Sequence, residues 1–310
     1  MARKVIVLGA SGRFGRAAVN SFTKAGWKVS AFVRKPTPAA SCTKIIIGDA
    51  FDTGSLTQGC LGHDVVVNCV NPPYKSWERD LPILTRNVIC AASQATATVM
   101  IPGNIYNYGN MLPSHLDEAT PWQANTKKGT LRIEMENSYR TAAAQAQLQT
   151  IILRGGDFFE GVASGNWFED HIANKLSDGK FTYPGPLNVK HAWAYLPDMA
   201  DAMAKLADKR EKVGSFEEYC FAGYNLTGHE LLHALEKATD RKLKISTFPW
   251  PMVYFASLFS KQIREVLEMR YLWQKAHSMR GKKLSTFLPD FTPTPLAQAM
   301  REMVILMSKT

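Results

Sequence analysis

Short, continuously apolar runs alternate with amphipathic stretches through the first half of the chain. The runs are Lys4–Leu8, Trp27–Val33, Lys44–Ile47, Asp64–Cys69, Thr98–Ile101 and Thr150–Leu153. Between them, Gly12–Ala25, Leu56–Gly62, Glu78–Ala92 and Thr130–Ala146 repeat apolar positions at helical spacing. Apolar runs without polar alternation predict strands buried on both faces. Their alternation with helices predicts a parallel sheet covered on each side. A helix over Pro197–Lys205 and a strand over Glu218–Ala222 read as the last addition to that sheet. The remainder is different: Asp157–His191 is rich in Gly, aromatics and turn signals, and Thr227–Thr239 reads as a helix. Phe248–Lys275 is aromatic and basic, and Pro289–Pro295 precedes a final helix.

Composition removes several classes. A chain of 310 residues with 45% hydrophobic and 10% aromatic content can build a real core, which argues against disorder. The longest apolar stretch, about Pro249–Phe259, falls short of the roughly 20 residues that span a bilayer. Val5–Leu8 runs directly into Gly9, the pattern of a buried strand rather than of a signal-peptide core. Five scattered cysteines, never in a Cys-x-x-Cys spacing, imply neither a disulfide framework nor a zinc ribbon. A cytoplasmic location is expected. The net charge of +10 favours anionic partners, a class that includes nucleotides as well as nucleic acid and membrane.

Chemistry is first legible at Gly9-Ala10-Ser11-Gly12-Arg13-Phe14-Gly15, which follows the first strand and opens a helix. Glycines there allow a tight turn, close approach of a pyrophosphate and close helix–strand packing, and the helix N-terminus offers amide donors and a positive dipole end. Dinucleotide binding is the expectation. An NAD site would carry an acid at the end of the second strand to bind the ribose diol. The sequence there is Phe32-Val33-Arg34-Lys35. Arg34 can grip a 2′-phosphate that a carboxylate would repel, with Lys35 and Arg13 adding charge, so NADP(H) is expected ahead of NAD(H).

The spacing Gly-x-x-Gly-x-x-Gly resembles the extended and atypical short-chain dehydrogenase/reductase superfamily, which includes nucleotide-sugar epimerases. Gly48-Asp49-Ala50 resembles that family's adenine-contacting turn. Asn68–Asn71, with Val70 and Asn71 at its end, resembles the segment lining the nicotinamide ribose. Leu153–Phe159 and Ala194–Ala200 resemble two further family segments. The resemblance implies an α/β fold: a Rossmann-type doubly wound parallel sheet with a smaller, mostly helical C-terminal substrate lobe. It divides into a dinucleotide-binding domain over 1–155, with 192–224 returning to it, and a substrate lobe over 156–191 and 225–310.

The family's catalytic Ser/Thr and Tyr-x-x-x-Lys are missing. By resemblance Asn104 stands in the serine's place, Lys128 in the tyrosine's and Arg132 in the lysine's. Tyr106 or Lys128 could serve as a substitute acid. Equally, the pocket could bind NADP(H) without turnover, or Tyr106 and Tyr108 could simply pack. The literal Tyr271–Lys275 match lies far beyond the sheet and reads as chance. Asp157, Phe158, Phe159, His191, Trp193 and Tyr195 are expected on the substrate side.

His229-Glu230-Leu231-Leu232-His233 matches a zinc-protease string, but Thr227 and Glu230 form a capping box that explains the glutamate locally. No metal is expected. The aromatics and cations of Trp250–Lys275 could serve nucleic acid or an interfacial helix, but packing under the substrate lobe is the expected role. The predicted partner is therefore a small-molecule substrate, with no nucleic acid and no membrane, on a monomer or homodimer. The predicted activity is an NADP(H)-dependent oxidoreductase or epimerase/dehydratase-like reaction on a small carbonyl or alcohol, possibly a sugar nucleotide. The alternative is a catalytically silent NADP(H)-binding regulatory or sensor protein.

Overall fold

The computed structural model describes residues 3–36, 42–162 and 166–308. Its centre is a seven-stranded sheet of β1 (Lys4–Leu8), β2 (Lys28–Val33), β3 (Lys44–Ile47), β4 (Val65–Asn68), β5 (Thr98–Gly103), β7 (Thr150–Arg154) and β11 (Phe216–Cys220). The order is β11-β7-β5-β4-β1-β2-β3, and every pairing is parallel. Strand order reverses between β1 and β4, which opens a crevice at their carboxyl ends, where open α/β sheets bind ligands.

Alternation along β1 shows why both faces are covered. Val5 and Val7 join one core with Phe14, Ala18 and Phe22 of α1 (Arg13–Lys24) and Met199 and Met203 of α5 (Leu196–Asp208). Ile6 and Leu8 join another with Leu56 of α2 (Thr53–Cys60), Leu84 and Val88 of α3 (Trp77–Gln94) and Met135 of α4 (Lys127–Ala144). Local capping moves some boundaries from those expected. Asp52 accepts from the amides of Gly54 and Ser55, and Thr126 from that of Gly129, so α2 and α4 each start three residues before the apolar pattern begins.

The remaining elements gather around a third core containing Phe159, Phe168, Phe181, Trp193, Tyr195, Trp250, Trp273 and Met303. They are less purely helical than expected. A three-stranded sheet holds β8 (Asp157–Phe159), β10 (Lys190–Tyr195) and β12 (Tyr224–Thr227), and two-stranded pairs join β9 (Lys180–Tyr183) to β13 (Lys244–Thr247) and β6 (His115–Leu116) to β14 (Ser278–Met279). The helices are α6 (Gly228–Thr239), α7 (Trp250–Ser257), α8 (Lys261–Glu268), α9 (Tyr271–Gln274), α10 (Lys282–Phe287) and α11 (Leu296–Met307). Helix α6 begins with the capping box, Thr227 and Glu230 bonding each other's backbone amides, and its His229 and His233 are exposed.

Candidate cofactor and reaction site

The loop after β1 is as tight as its glycines allow. Gly9 has φ +69°, and a Cβ at Gly15 would lie 2.2 Å from the Gly9 carbonyl oxygen. Helix α1 has Gly12 at its N-cap, no side-chain cap and no acid in its first turn, which leaves its dipole end suited to an anion. Ser11 and Gly12 are exposed, whereas Ala10 and Phe14 are buried and hold the loop down. Arg13 is half-buried, and its Nη1 is enclosed without a hydrogen-bond partner among the described residues. Arg16 donates to the Ser11 carbonyl at 3.0 Å and pairs with Glu160 at 3.1 Å, tying the loop to the segment after β8.

At the end of β2, Arg34 and Lys35 are exposed. Beyond β3, the Asp49 carboxylate accepts from the Phe51 amide at 3.0 Å, while Asn87 donates to the carbonyls of Ala50 and Phe51. That turn is thereby rigid, with Asp49 facing solvent. The exit of β4 lines a pocket shared by Asn68, Cys69, Val70 and Asn71 with Pro102 and Arg132. The Asn68 amide donates to the Tyr139 hydroxyl at 3.1 Å, and its Oδ1 accepts from the Val70 amide at 3.2 Å. Arg132 lies 5.0 Å from the Trp77 ring centre, and its buried Nε has no hydrogen-bond partner among the described residues. Burial lowers its proton affinity from the ordinary arginine value, and Arg132 forms no ion pair among the described residues.

At the reaction end, Asn104 Oδ1 accepts from the Tyr106 amide at 3.1 Å, and the phenol oxygens of Tyr106 and Tyr74 are 2.9 Å apart. Burial, with Tyr74, Asp157 and Tyr271 nearby, pushes the Tyr106 phenol well above its usual pKa, so it is a neutral donor. Lys128 is 1% exposed, with its ammonium 2.5 Å from Glu265 and 2.6 Å from Glu268, both on α8. The residue expected in the tyrosine's place is thus a clamped cation. Asp157 accepts from His191 Nε2 at 2.9 Å, and the His191 ring stacks on Trp273 with centres 4.4 Å apart. His277 packs 4.5 Å from His191, and burial drives its pKa down to about 3. Phe158 turns the other way, 6.3 Å from Phe14 of the loop, whereas Phe159, Trp193 and Tyr195 are buried in the third core.

Four participants escape the residue pattern. Tyr74 lies in an irregular turn, and Glu265 and Glu268 are far from Lys128 in sequence. Tyr271, whose literal motif has an exposed Lys275, comes within electrostatic reach of Tyr106 and Asp157. The folding-back of α8 and α9 brings Glu265 and Glu268 to Lys128, and Tyr271 near Tyr106 and Asp157. Arg154, within a segment resembling a family turn, is wholly buried. It pairs with Glu136 at 2.7 Å and Glu218 at 2.6 Å and donates to the Asn104 carbonyl at 2.5 Å. It holds the Asn104 segment from beneath.

The fold and loop define a nicotinamide-dinucleotide binding protein built on a Rossmann-type parallel sheet. A family model described as NAD(P)H-binding matches residues 9–166, and the chain belongs to that family. No curated protein sequence matches it significantly. Among solved structures, the UDP-N-acetylglucosamine 4-epimerase from Bacillus cereus aligns at 18% identity and TM-score 0.78, over 100% of this chain and 98% of that one. MoeE5 in complex with UDP-glucose and NAD aligns at 16% identity and TM-score 0.78, over 99% of each chain. The Thermus thermophilus UDP-glucose 4-epimerase in complex with NAD aligns at 14% identity and TM-score 0.75, over 98% of this chain and 99% of that one. No helix among the described residues is long and apolar enough to cross a membrane.

Proposed function

We propose that this protein is a cytoplasmic NADP(H)-dependent oxidoreductase or epimerase-like enzyme acting on a small carbonyl or alcohol. The observation that carries the proposal is that, of three buried guanidinium nitrogens without a partner among the described residues, two border the carboxyl ends of β1 and β4. One is Arg13 Nη1, on the loop after β1, and the other is Arg132 Nε, against the exit of β4. An unsatisfied buried donor costs about 1–3 kcal/mol, which a phosphorylated, hydroxyl-rich coenzyme would recover. The glycine loop suits that ligand, since Ser11 and Gly12 are exposed at a helix N-terminus with no side-chain cap and no acid in its first turn. In this reading Gly9–Gly15 receive the pyrophosphate, Arg13, Arg34 and Lys35 the 2′-phosphate, Asp49 and Ala50 the adenine, and Val70, Asn71 and Arg132 the nicotinamide ribose.

A bound nicotinamide supplies hydride exchange. Tyr106, neutral and hydrogen-bonded to Tyr74, holds a proton at its phenol oxygen that it can present to a substrate oxygen. Asn104 positions it through its backbone amide. Asp157, oriented by His191, would accept a substrate hydroxyl beside Phe158. Lys128 would hold α8 over the site. The sheet and its loops over 1–155 and 192–224 form the coenzyme domain, and 156–191 with 225–310 the substrate lobe. The UDP-sugars named for similar structures make nucleotide sugars the first class to assay.

Calorimetry with NADPH and NADH tests the coenzyme assignment: NADPH should bind more tightly, and absence of binding by both would overturn it. A second reading, a silent NADP(H) sensor, is favoured by the ion-paired Lys128 in the tyrosine's place. NADPH consumption with any sugar nucleotide, aldehyde or ketone would reject that second reading.

A further inference from the structure

The segment Pro249–Ser260 contains no charged residue, yet much of it faces outward. Met252 is 72% exposed, Phe255 68%, Leu258 68% and Phe259 79%. Their spacing sets them along one side of α7 and its continuation. The rings of Phe255 and Phe259 pack on each other with centres 5.5 Å apart rather than into the third core. The opposite side is anchored: Trp250 is buried, and its indole nitrogen donates to the Pro184 carbonyl at 2.7 Å. Side chains of this size are ordinarily interior, and a contiguous exposed group of them marks an interaction site. The expectation that the aromatic stretch packs under the lobe therefore holds for Trp250 and Trp273 but not for this outer face.

Charge around the patch is one-sided. Lys261 and Arg264, exposed on the first turn of α8, follow directly. The two acids of α8, Glu265 and Glu268, turn inward to Lys128, and Glu78, an acid within electrostatic reach of Lys261, is held by Lys127 at 2.5 Å. The outward charge of the hairpin is thus cationic, on a chain that carries +10 overall.

We propose that the outer face of the α7–α8 hairpin docks this protein on an anionic phospholipid surface. Met252, Phe255, Leu258 and Phe259 enter the boundary between headgroups and acyl chains, and Lys261 and Arg264 meet lipid phosphates. A second copy of the chain fits less well. A two-fold contact through this face would bring a second Lys261 and Arg264 into the same interface with no hairpin acid free to meet them, because Glu265 and Glu268 are engaged by Lys128. A bilayer presents apolar depth and negative charge together.

Flotation of the full-length protein with vesicles of phosphatidylcholine and phosphatidylglycerol, against phosphatidylcholine alone, tests this. The protein should rise with the anionic vesicles, and added salt should weaken the association. Phe255→Ser with Phe259→Ser should cut partitioning at least about tenfold while leaving the thermal melt and NADPH affinity unchanged. Lys261→Gln with Arg264→Gln should remove the preference for anionic lipid. No partitioning by the native chain, or equal partitioning by the phenylalanine variant, overturns the proposal. So does a dimer in sedimentation that the phenylalanine variant dissociates, if no vesicle binding accompanies it. NADPH affinity is read separately, so failure here leaves the coenzyme assignment standing.

Discussion

The phenol oxygens of Tyr74 and Tyr106 lie 2.9 Å apart, one from the irregular turn before α3 and the other from the segment after β5. Each can donate to the other, so one proton is always free to turn toward a substrate oxygen. Burial keeps Tyr106 protonated, which suits a donor to a developing oxyanion. Tyr106→Phe should lower turnover by about 10²-fold or more with NADPH affinity unchanged, and Tyr74→Phe should have a smaller effect. Steady-state kinetics with any substrate that consumes NADPH makes the comparison. An unaltered kcat in Tyr106→Phe removes that residue from the reaction.

Arg34 is exposed at the end of β2, where charge reversal should not disturb packing. Arg34→Asp should weaken NADPH by about 10- to 100-fold, the loss of a charge-assisted hydrogen bond, and affect NADH far less. Equal losses for both coenzymes would mean that Arg34 does not read the 2′-phosphate.

A methyl group at Gly15 would collide with the Gly9 carbonyl, which is backbone and cannot rotate aside. Gly15→Ala should cost about 1–3 kcal/mol of stability and abolish tight coenzyme binding, because helix α1 must move away from the loop. Urea melts and calorimetry read the two effects. A variant that melts and binds like the native protein would contradict the tight crossing.

Arg154 and Glu136 are both completely buried and meet at 2.7 Å, and Asn107 donates to the same Glu136 carboxylate at 2.9 Å. Burial opposes the Arg154 charge, but Glu136 and Glu218 hold it well above the ordinary arginine value. Glu136→Leu should destabilise by about 1–3 kcal/mol, since it leaves the buried Arg154 Nη2 and Asn107 Nδ2 without their acceptor while Glu218 still pairs with Arg154 Nε. A loss under about 1 kcal/mol on the scale of a surface pair would show that the network relaxes around the change.

His277 is buried neutral, with its pKa lowered to about 3. The unfolded chain, with an ordinary histidine, binds the extra proton first. This residue's stability contribution is therefore present above about pH 6.5 and is lost as pH falls toward 3. The native protein should lose up to about 1.4 kcal/mol per pH unit across that window from this one group. His277→Gln should flatten the slope in matched denaturation series at several pH values. Identical slopes would mean that His277 can take up a proton within the fold.

The sheet and its loop were readable because both depend on short-range pattern. β1 is four apolar residues running into glycine, and the next strand in sequence, β2, pairs beside it. Boundaries slipped where a single hydrogen bond outweighed the apolar period, as at Asp52 and Thr126. Strands β8, β10 and β12 were hidden because their aromatic residues read equally as turn or core.

By itself, the order of residues determined the doubly wound sheet, the tight glycine loop at Gly9–Gly15 and the absence of a Tyr-x-x-x-Lys from the helix over 127–144. Each of these is written within a few consecutive positions. Only the tertiary structure decided the state of the candidate reaction residues. Lys128 is neutralised by carboxylates 137 and 140 residues away, and Tyr106 finds its partner 32 residues back. It also decided that the phenylalanines of α7 face outward. Periodicity locates an apolar face, but which neighbour covers that face depends on how distant helices pack.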